Sequence, residues 1–372
     1  MTIIPLLATQ KLGLSLLVLG AIEGGSEFIS MLLRMVSGNM FDSFKNRRYL
    51  FTIPGVMSLI SKSILLFPSG LSILASKVVD RIGNGLFSVP RDAYVGQVSE
   101  HKGKSLGYMN MSRSLGCILG PVIISASCYF YGSINHNITY VLIFMCLINA
   151  LAFLLSFHIK LDKLQLPNIK SLSLDSIKSL LSSNNSSLNM MLLVTFMFFM
   201  GRFNDGNIML YLKGLGYPEW FYISTIAFFN FAMLVISPFF GYCVDKGKTY
   251  SMMLLTVCAL VLFNLVFYNL ATVSLLAACV GLLFWGVQRV GERITFASVI
   301  FSSVPKHYYG TAIGLYSVIS GLGTLLSSLI CGYLAKYNFN NIFLLSGAFG
   351  IATLGLVLVR IRDKNALLSK QT

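Results

Sequence analysis

Apolar residues run along this chain in long blocks separated by short polar turns, without a period of two. A helix needs about 20 apolar residues to cross roughly 30 Å of hydrocarbon. Blocks of that order fall at 14–36, 49–68, 71–98, 104–130, 139–158, 189–212, 220–243, 250–270, 272–303, 309–335 and 341–360. The pattern predicts about eleven full membrane-spanning helices. Alternating segments of about ten residues, the mark of a membrane β-barrel, do not occur, so the expected class is all-α integral membrane protein.

Composition strengthens that reading. The chain has 372 residues, of which 55% are hydrophobic and 11% charged, with a mean hydropathy of +0.76. A soluble domain of this length carries about 25% charged residues. The net charge of +15 suggests nucleic acid at first sight, but its distribution points to topology instead. Lys45, Arg47, Arg48, Lys102, Lys104, Lys160, Lys163, Lys170, Lys178, Lys246, Lys248, Lys306, Arg360, Arg362, Lys364 and Lys370 all fall on one side of the predicted spans, against Lys11, Lys213 and Lys336 on the other. Positive residues stay on the cytoplasmic face, so the C-terminus is expected there and no nucleic-acid partner is needed.

Cys117, Cys128, Cys146, Cys243, Cys258, Cys279 and Cys331 lie in apolar blocks without CxxC spacing, and the four histidines (His101, His136, His158, His307) sit at block ends or in loops. These residues predict no disulfide, metal site or cofactor.

The two halves resemble each other. Leu12-Gly13 and GNMFD (38–42) match Leu215-Gly216 and GYCVD (241–245) at a common offset, and Gly103 and Gly107 match Gly310 and Gly314 at a slightly larger one. The predicted organisation is an N-terminal bundle over 1–158, a polar cytoplasmic linker over 159–188, a C-terminal bundle over 189–360 and a cytoplasmic tail over 361–372. Transporters are often built as two repeated bundles around a central site. In the linker, Ile169, Leu172, Ile177, Leu180 and Leu181 fit one face of an interfacial helix, and a flexible linker fits as well. The repeat leaves a deficit at the start: the second half has a helix before Leu215, where the first half has eleven residues before Leu12, enough for only about 16 Å of helix. A shortened gene, a misplaced start codon and a real half-helix all fit this truncated first helix. A cleavable signal peptide does not, since a basic start and a small-residue cleavage site are missing.

Motifs then carry a resemblance. GNMFDSFKNRR (38–48) resembles the loop signature of the major facilitator superfamily, with Gly38, Asp42, Arg47 and Arg48 in place, and GYCVDKGK with Gly241 and Asp245 is its second-half copy. AIEGGSEF (21–28), DRIGNGLFSVPRDA (80–93) and GCILGPVI (116–123) together resemble a bacterial branch of that superfamily with an Asp-Arg, Pro-Arg-Asp-Ala fourth-helix signature. The resemblance implies two helical bundles moving a small-molecule substrate by alternating access, in a bacterial inner (plasma) membrane, as a monomer. Ser43, Lys45, Asn46, Asn84, Phe87, Asn110 and Arg113 depart from the family pattern. The change to Arg113 leaves coupling ion and substrate open, an anionic substrate being one reading.

The charges can also be read directly. An ionisable side chain costs about 2.5–3.5 kcal/mol at a helix centre on insertion scales, so intramembrane charges pair or line a watery path. Glu23 and Glu27 share one helical face, which suits proton binding; neutralisation by Lys62 or Lys77 is the alternative. Arg202 with Asp205, and Arg289 with Glu292, are spaced to pair along one helix, and Arg293 and Arg113 are further buried candidates. Asp80 and Arg81 fall near the midplane and Arg91 and Asp92 near the inner boundary, which assigns the first pair to the pathway and the second to an inner gate. Gly116, Gly120 and Pro121 resemble the fifth-helix motif of antiporters and suit close helix approach with a bend; tight packing without motion is the alternative. Asp42 is expected to face the positive end of the helix that starts near Tyr309.

The expected function is secondary transport with protons as coupling ion, export by antiport being favoured over uptake or export of a metabolite or siderophore. A membrane enzyme lacks support from GxSxG, GxxxxGK[ST] or a His/Asp cluster. A non-transporting remnant is the remaining alternative.

Overall fold

The computed structural model describes residues 13, 15–43, 49–67, 69–98, 102–131, 134–156, 186–269, 274–303 and 309–369. Among the described residues, helices occupy most of each predicted block and there is no strand. In chain order they are α1 (Leu16–Ser43), α2 (Tyr49–Ile64), α3 (Gly70–Val98), α4 (Lys102–Tyr131), α5 (Ile134–Ser156), α6 (Ser186–Gly201), α7 (Asp205–Gly214), α8 (Glu219–Asp245), α9 (Thr249–Asn269) and α10 (Leu275–Gly291). A π-helical turn (Glu292–Phe296), α11 (Ala297–Ser302), α12 (Tyr309–Ala335) and α13 (Asn340–Ser369) complete the order. Six described helical stretches have the length and hydropathy of a full crossing, within α1, α8, α9, α10–α11, α12 and α13. Shorter apolar stretches occupy α2, α4 and α5.

Two of the predicted spans are interrupted. The block 189–212 breaks at residues 202–204 into α6 and α7. Asn204 caps α7 with extended backbone, its side chain accepting from the Gly206 N–H at 2.7 Å. At the other side of the break the Ser346 hydroxyl donates to the Gly201 carbonyl. Partners of this kind make non-helical backbone tolerable in a membrane protein. The second interruption is the π turn in block 272–303, just after Gly291. A Cβ at Gly291 would overlap the Thr256 side chain of α9, so the missing side chain lets α9 close on the turn.

Packing follows the repeat. In the first half α1 and α2 pack on α3, and α2 on α5; in the second, α8 and α9 pack on α10, α9 and α6 on α13, and α6 on α12. Two extensive contacts join the halves, α1 with α12 and α4 with α8. The smaller repeat offset carries α1 onto α8 and the larger carries α4 onto α12, so the two inter-half contacts are copies of one another.

They differ in closeness. Along α1 and α12, a Cβ at Gly20 would lie 2.5 Å from the Ser328 carbonyl oxygen, one at Gly332 2.9 Å from the Leu16 carbonyl oxygen, and one at Gly321 2.8 Å from Met31 Cβ. On the α4–α8 side, the Ser125 hydroxyl donates to the Trp220 carbonyl at 2.7 Å and Tyr129 meets Trp220 edge to face. In the second half Phe203, Phe263, Phe267, Trp285 and Phe343 form one buried aromatic cluster, with Phe203 stacked on Trp285 at 5.0 Å. Large apolar side chains such as Phe231, Leu276, Ile351 and Leu358 point outward, as a lipid-facing surface requires.

Candidate functional site

Glu23, on α1, is 4% exposed and pairs with Lys77 of α3. One turn further, Glu27 meets Arg81 of α3 at 2.7 Å. Asp80 turns the other way, pairing with Lys62 of α2 and accepting from Asn84 Nδ2 at 3.0 Å. The pairing of Glu23 and Glu27 with separate cations follows from geometry: both lie on the α1 face that α3 covers, and Lys77 and Arg81 are likewise four apart. Asp80 and Arg81 are neighbours in sequence but serve different helices.

In the second half the charges gather at both helix interruptions. Arg202, in the break, pairs with Glu292 at the start of the π turn at 2.7 Å, and its guanidinium lies over the Phe199 ring at 5.4 Å. Asp205, at the start of α7, accepts from Arg289 at 2.7 Å and from Trp285 Nε1 at 2.9 Å. The pairing is therefore crosswise between two broken spans. The expected partners along one helix are not the principal ones: Arg202 does not reach Asp205, and Arg289 approaches Glu292 only at 3.8 Å. An unwound segment frees its side chains from the helical register, so the i, i+3 rule does not govern them.

One hydrogen bond joins the two sets. Asn204 Nδ2 donates to Glu23 Oε2 at 2.9 Å, while the same amide's oxygen caps α7. The broken helix of one half is thus fastened to the buried acid of the other. Gln288, one turn from Glu292, is fully buried, and neither of its amide atoms has a hydrogen-bond partner among the described residues.

The remaining expected residues sit apart from this cluster. Arg113 is exposed on α4. Arg91 lies over Phe87 at 5.4 Å near the end of α3. Gly116 and Gly120 are exposed, and a Cβ on either would meet nothing within 4 Å, so neither supplies the close helix approach expected of it. Pro121 beside them is buried within α4. Gly241 also faces open space, and Asp245 ends α8 in an exposed position. Gly38, Asp42 and Asp92 belong to helical backbone, but their side-chain surroundings lie outside the described residues, as do Arg47, Arg48 and the linker helix face of Ile169 to Leu181.

Sequence reasoning missed Asn204, Trp285 and Gln288, and took Asn84 only as a departure from the family pattern, not as a partner of Asp80. For Asn204 a signal existed: GRFNDG, residues 201–206, places two glycines and an Asn-Asp pair inside an apolar run, a combination that favours a break. Trp285 is four residues before Arg289, on the same helical face, which the period alone does not mark as polar.

The chain is 25% identical over 377 aligned positions to an uncharacterized MFS-type transporter of Methanocaldococcus jannaschii, covering 97% of this chain and 90% of the relative. Its fold is similar to that of a POT family transporter solved with a thioalcohol-conjugated peptide, with a TM-score of 0.76 and 13% identity over 98% of this chain and 92% of the other. It is also similar to the partially occluded, inward-open xylose transporter XylE of E. coli, with a TM-score of 0.69 and 14% identity over 95% and 91% of the two chains. The Major Facilitator Superfamily model matches residues 1–328, and with its paired inter-half contacts and buried charges the chain belongs to that family of multi-pass membrane transporters, not to an enzyme class.

Proposed function

We propose that this protein is a secondary transporter that moves a small solute by alternating access, coupled to protons, with Glu23 as the coupling acid. The observation that carries the reading is the double engagement of Glu23 by Lys77 from its own half and by Asn204 from the other. Protonation of Glu23 would remove the negative charge in both interactions, and charge-assisted bonds are about twice as strong as neutral ones. The contact between halves would then weaken, and a ligand that binds one arrangement better could shift the balance. Arg202, Asp205, Arg289 and Glu292 form the facing part of the pathway, held at two helix interruptions of the sort that transporters use at their binding sites.

The charge bias of the loops supports an orientation with Leu16, Trp220 and Gly332 at the outer face and the C-terminus in the cytoplasm. Contacts at Gly332 with Leu16 and at Trp220 with Ser125 close that end, which supports an inward-facing arrangement. The bacterial-branch resemblance supports an inner-membrane location, and the fifth-helix resemblance at Gly116, Gly120 and Pro121 supports export by antiport. In this reading Arg91 and Asp92 belong to the inner gate, Gly38, Asp42, Arg47, Arg48, Gly241 and Asp245 to the loops that lock one state, and the working unit is a monomer.

Proteoliposomes with an imposed pH gradient test the coupling, screened with drug-like cations, sugars and carboxylate chelators. Gradient-driven flux is expected in the wild type and loss of its pH response in Glu23→Gln. Flux indifferent to the gradient, or coupling unchanged in Glu23→Gln, overturns the reading.

A further inference from the structure

The ion pair of Lys62 and Asp80 joins α2 to α3, one helix away from Glu23 and without direct contact to it. Both members are buried, Lys62 at 7% and Asp80 at 6% exposure. Charges so placed inside a membrane bundle are expensive and are kept for a reason.

The reason lies in how α3 divides its faces. Lys77 and Arg81, four apart, meet Glu23 and Glu27 of α1, while Ser76 and Asp80, also four apart, meet Ser61 and Lys62 of α2. The glycines repeat the division: a Cβ at Gly85 would lie 2.7 Å from the Ser30 carbonyl oxygen of α1, and one at Gly83 3.2 Å from Met57 Cβ of α2. The two faces adjoin. Lys77 and Asp80 are i, i+3, near enough on a helix surface to pair with each other. They do not: Asp80 Oδ1 is taken by Lys62, its Oδ2 accepts from Asn84 Nδ2 at 3.0 Å, and Lys77 goes to Glu23. The Ser61 hydroxyl, donating to the Ser76 carbonyl at 2.9 Å, pins α2 against this face one turn away.

Resting on the reading of Glu23 as the coupling acid, we propose that Lys62, helped by Asn84, is a positioning residue that holds Asp80 away from Lys77 and so reserves Lys77 for Glu23. Without Lys62, the carboxylates of Glu23, Glu27 and Asp80 share Lys77 and Arg81, and Asp80 competes for Lys77 from the same helix. Glu23 then keeps less of its counter-charge and takes up a proton at higher pH. The groups that face Glu23 are Lys77 and Arg81 from α3, Asn204 from the helix break and Glu27 one turn along α1. On the other side of α1, α12 meets Gly20 and Gly24 with uncharged residues only. Those that face Asp80 are Lys62 of α2 and Asn84, Lys77 and Arg81 of α3.

Infrared difference spectra of the full chain in phosphatidylcholine nanodiscs, titrated with pH, read the proton on Glu23 as the carboxyl C=O band that Glu23→Gln removes. Lys62→Gln is expected to raise the midpoint of that band by about one pH unit or more, as loss of an opposite charge does. Adding Asp80→Asn removes the competitor and should return the midpoint to the wild-type value or below. A purely structural ion pair predicts a lower Tm for Lys62→Gln with the midpoint unmoved. The proposal falls if Lys62→Gln leaves the midpoint where it was, or if its shift persists after Asp80→Asn. Asn84→Leu frees one Asp80 oxygen without changing any charge and should move the midpoint the same way by less. It takes the place of Lys62→Gln, under the same two criteria, should that variant not fold.

The two readings fail separately. A Glu23 band that shifts with Lys62 while flux ignores the pH gradient removes proton coupling and leaves the positioning role. Gradient-driven flux that is lost in Glu23→Gln, with a band indifferent to Lys62, does the reverse. No Glu23 band at any pH that the folded protein survives overturns both.

Discussion

Asn204 holds Glu23 across the boundary between the two halves at 2.9 Å, with the same amide that caps α7. Serine at 204 keeps a capping oxygen but is too short to reach Glu23, whereas alanine loses both. We expect Asn204→Ser to lower stability by about 1.5–3 kcal/mol through the lost charged hydrogen bond, and Asn204→Ala by about 1 kcal/mol more through the lost cap. Thermal unfolding in lipid separates the two steps. A serine variant as stable as wild type would show that the cross-half bond adds nothing.

Glycines of the same helix family should respond in opposite ways. Alanine at Gly20 sets a methyl 2.5 Å from the Ser328 carbonyl and forces α1 and α12 apart at the Leu16 end. Alanine at Gly120 meets open space and gains helix propensity, worth about 0.5–1 kcal/mol. Gly20→Ala is expected to lower Tm and to raise labelling of a cysteine placed near Leu16, and Gly120→Ala to raise Tm slightly. Equal effects from the two would refute the asymmetry between the inter-half contacts.

The Arg202–Glu292 pair should be costly to halve and cheap to replace. Removing one member of a buried pair costs about 3–5 kcal/mol, because the other charge is left unpaired, while an apolar substitute for both is often neutral. Arg202→Met is therefore expected to be much less stable than Arg202→Met with Glu292→Met. A double variant at least as unstable as the single one, measured by chemical or thermal unfolding, would mean that the residues act independently.

Gln288 is buried with an unpartnered amide. An unsatisfied buried polar group costs about 1–3 kcal/mol, and methionine has a similar shape without that demand. Gln288→Met should raise Tm. A fall in Tm would show that the amide is bound by something outside the described chain.

Much of the membrane architecture was legible in order along the chain. The apolar blocks located the helices because hydrocarbon thickness sets their length, and the repeat offsets matched α1 with α8 and α4 with α12 because equivalent helices keep equivalent spacing. Lys77 as the partner of Glu23 was also within reach, since two i, i+4 pairs on neighbouring helices can mesh. Asp80 was harder: its partner Lys62 lies across a turn on α2, and the choice between α1 and α2 depends on how α3 is rotated. That rotation is a packing outcome.

The sequence by itself determined the class of solvent, the all-helical architecture, the repeat and the presence of charges inside the bilayer that must pair, because each follows from hydropathy, residue spacing and the cost of burying charge. Only the tertiary structure decided who pairs with whom. The break at 202–204 and the π turn at 292–296 take Arg202, Asp205 and Glu292 out of helical register, and the approach of α1 to α12 brings Glu23 to Asn204. Those partners come from helices far apart in sequence, so their meeting is fixed by three-dimensional packing and by no local period.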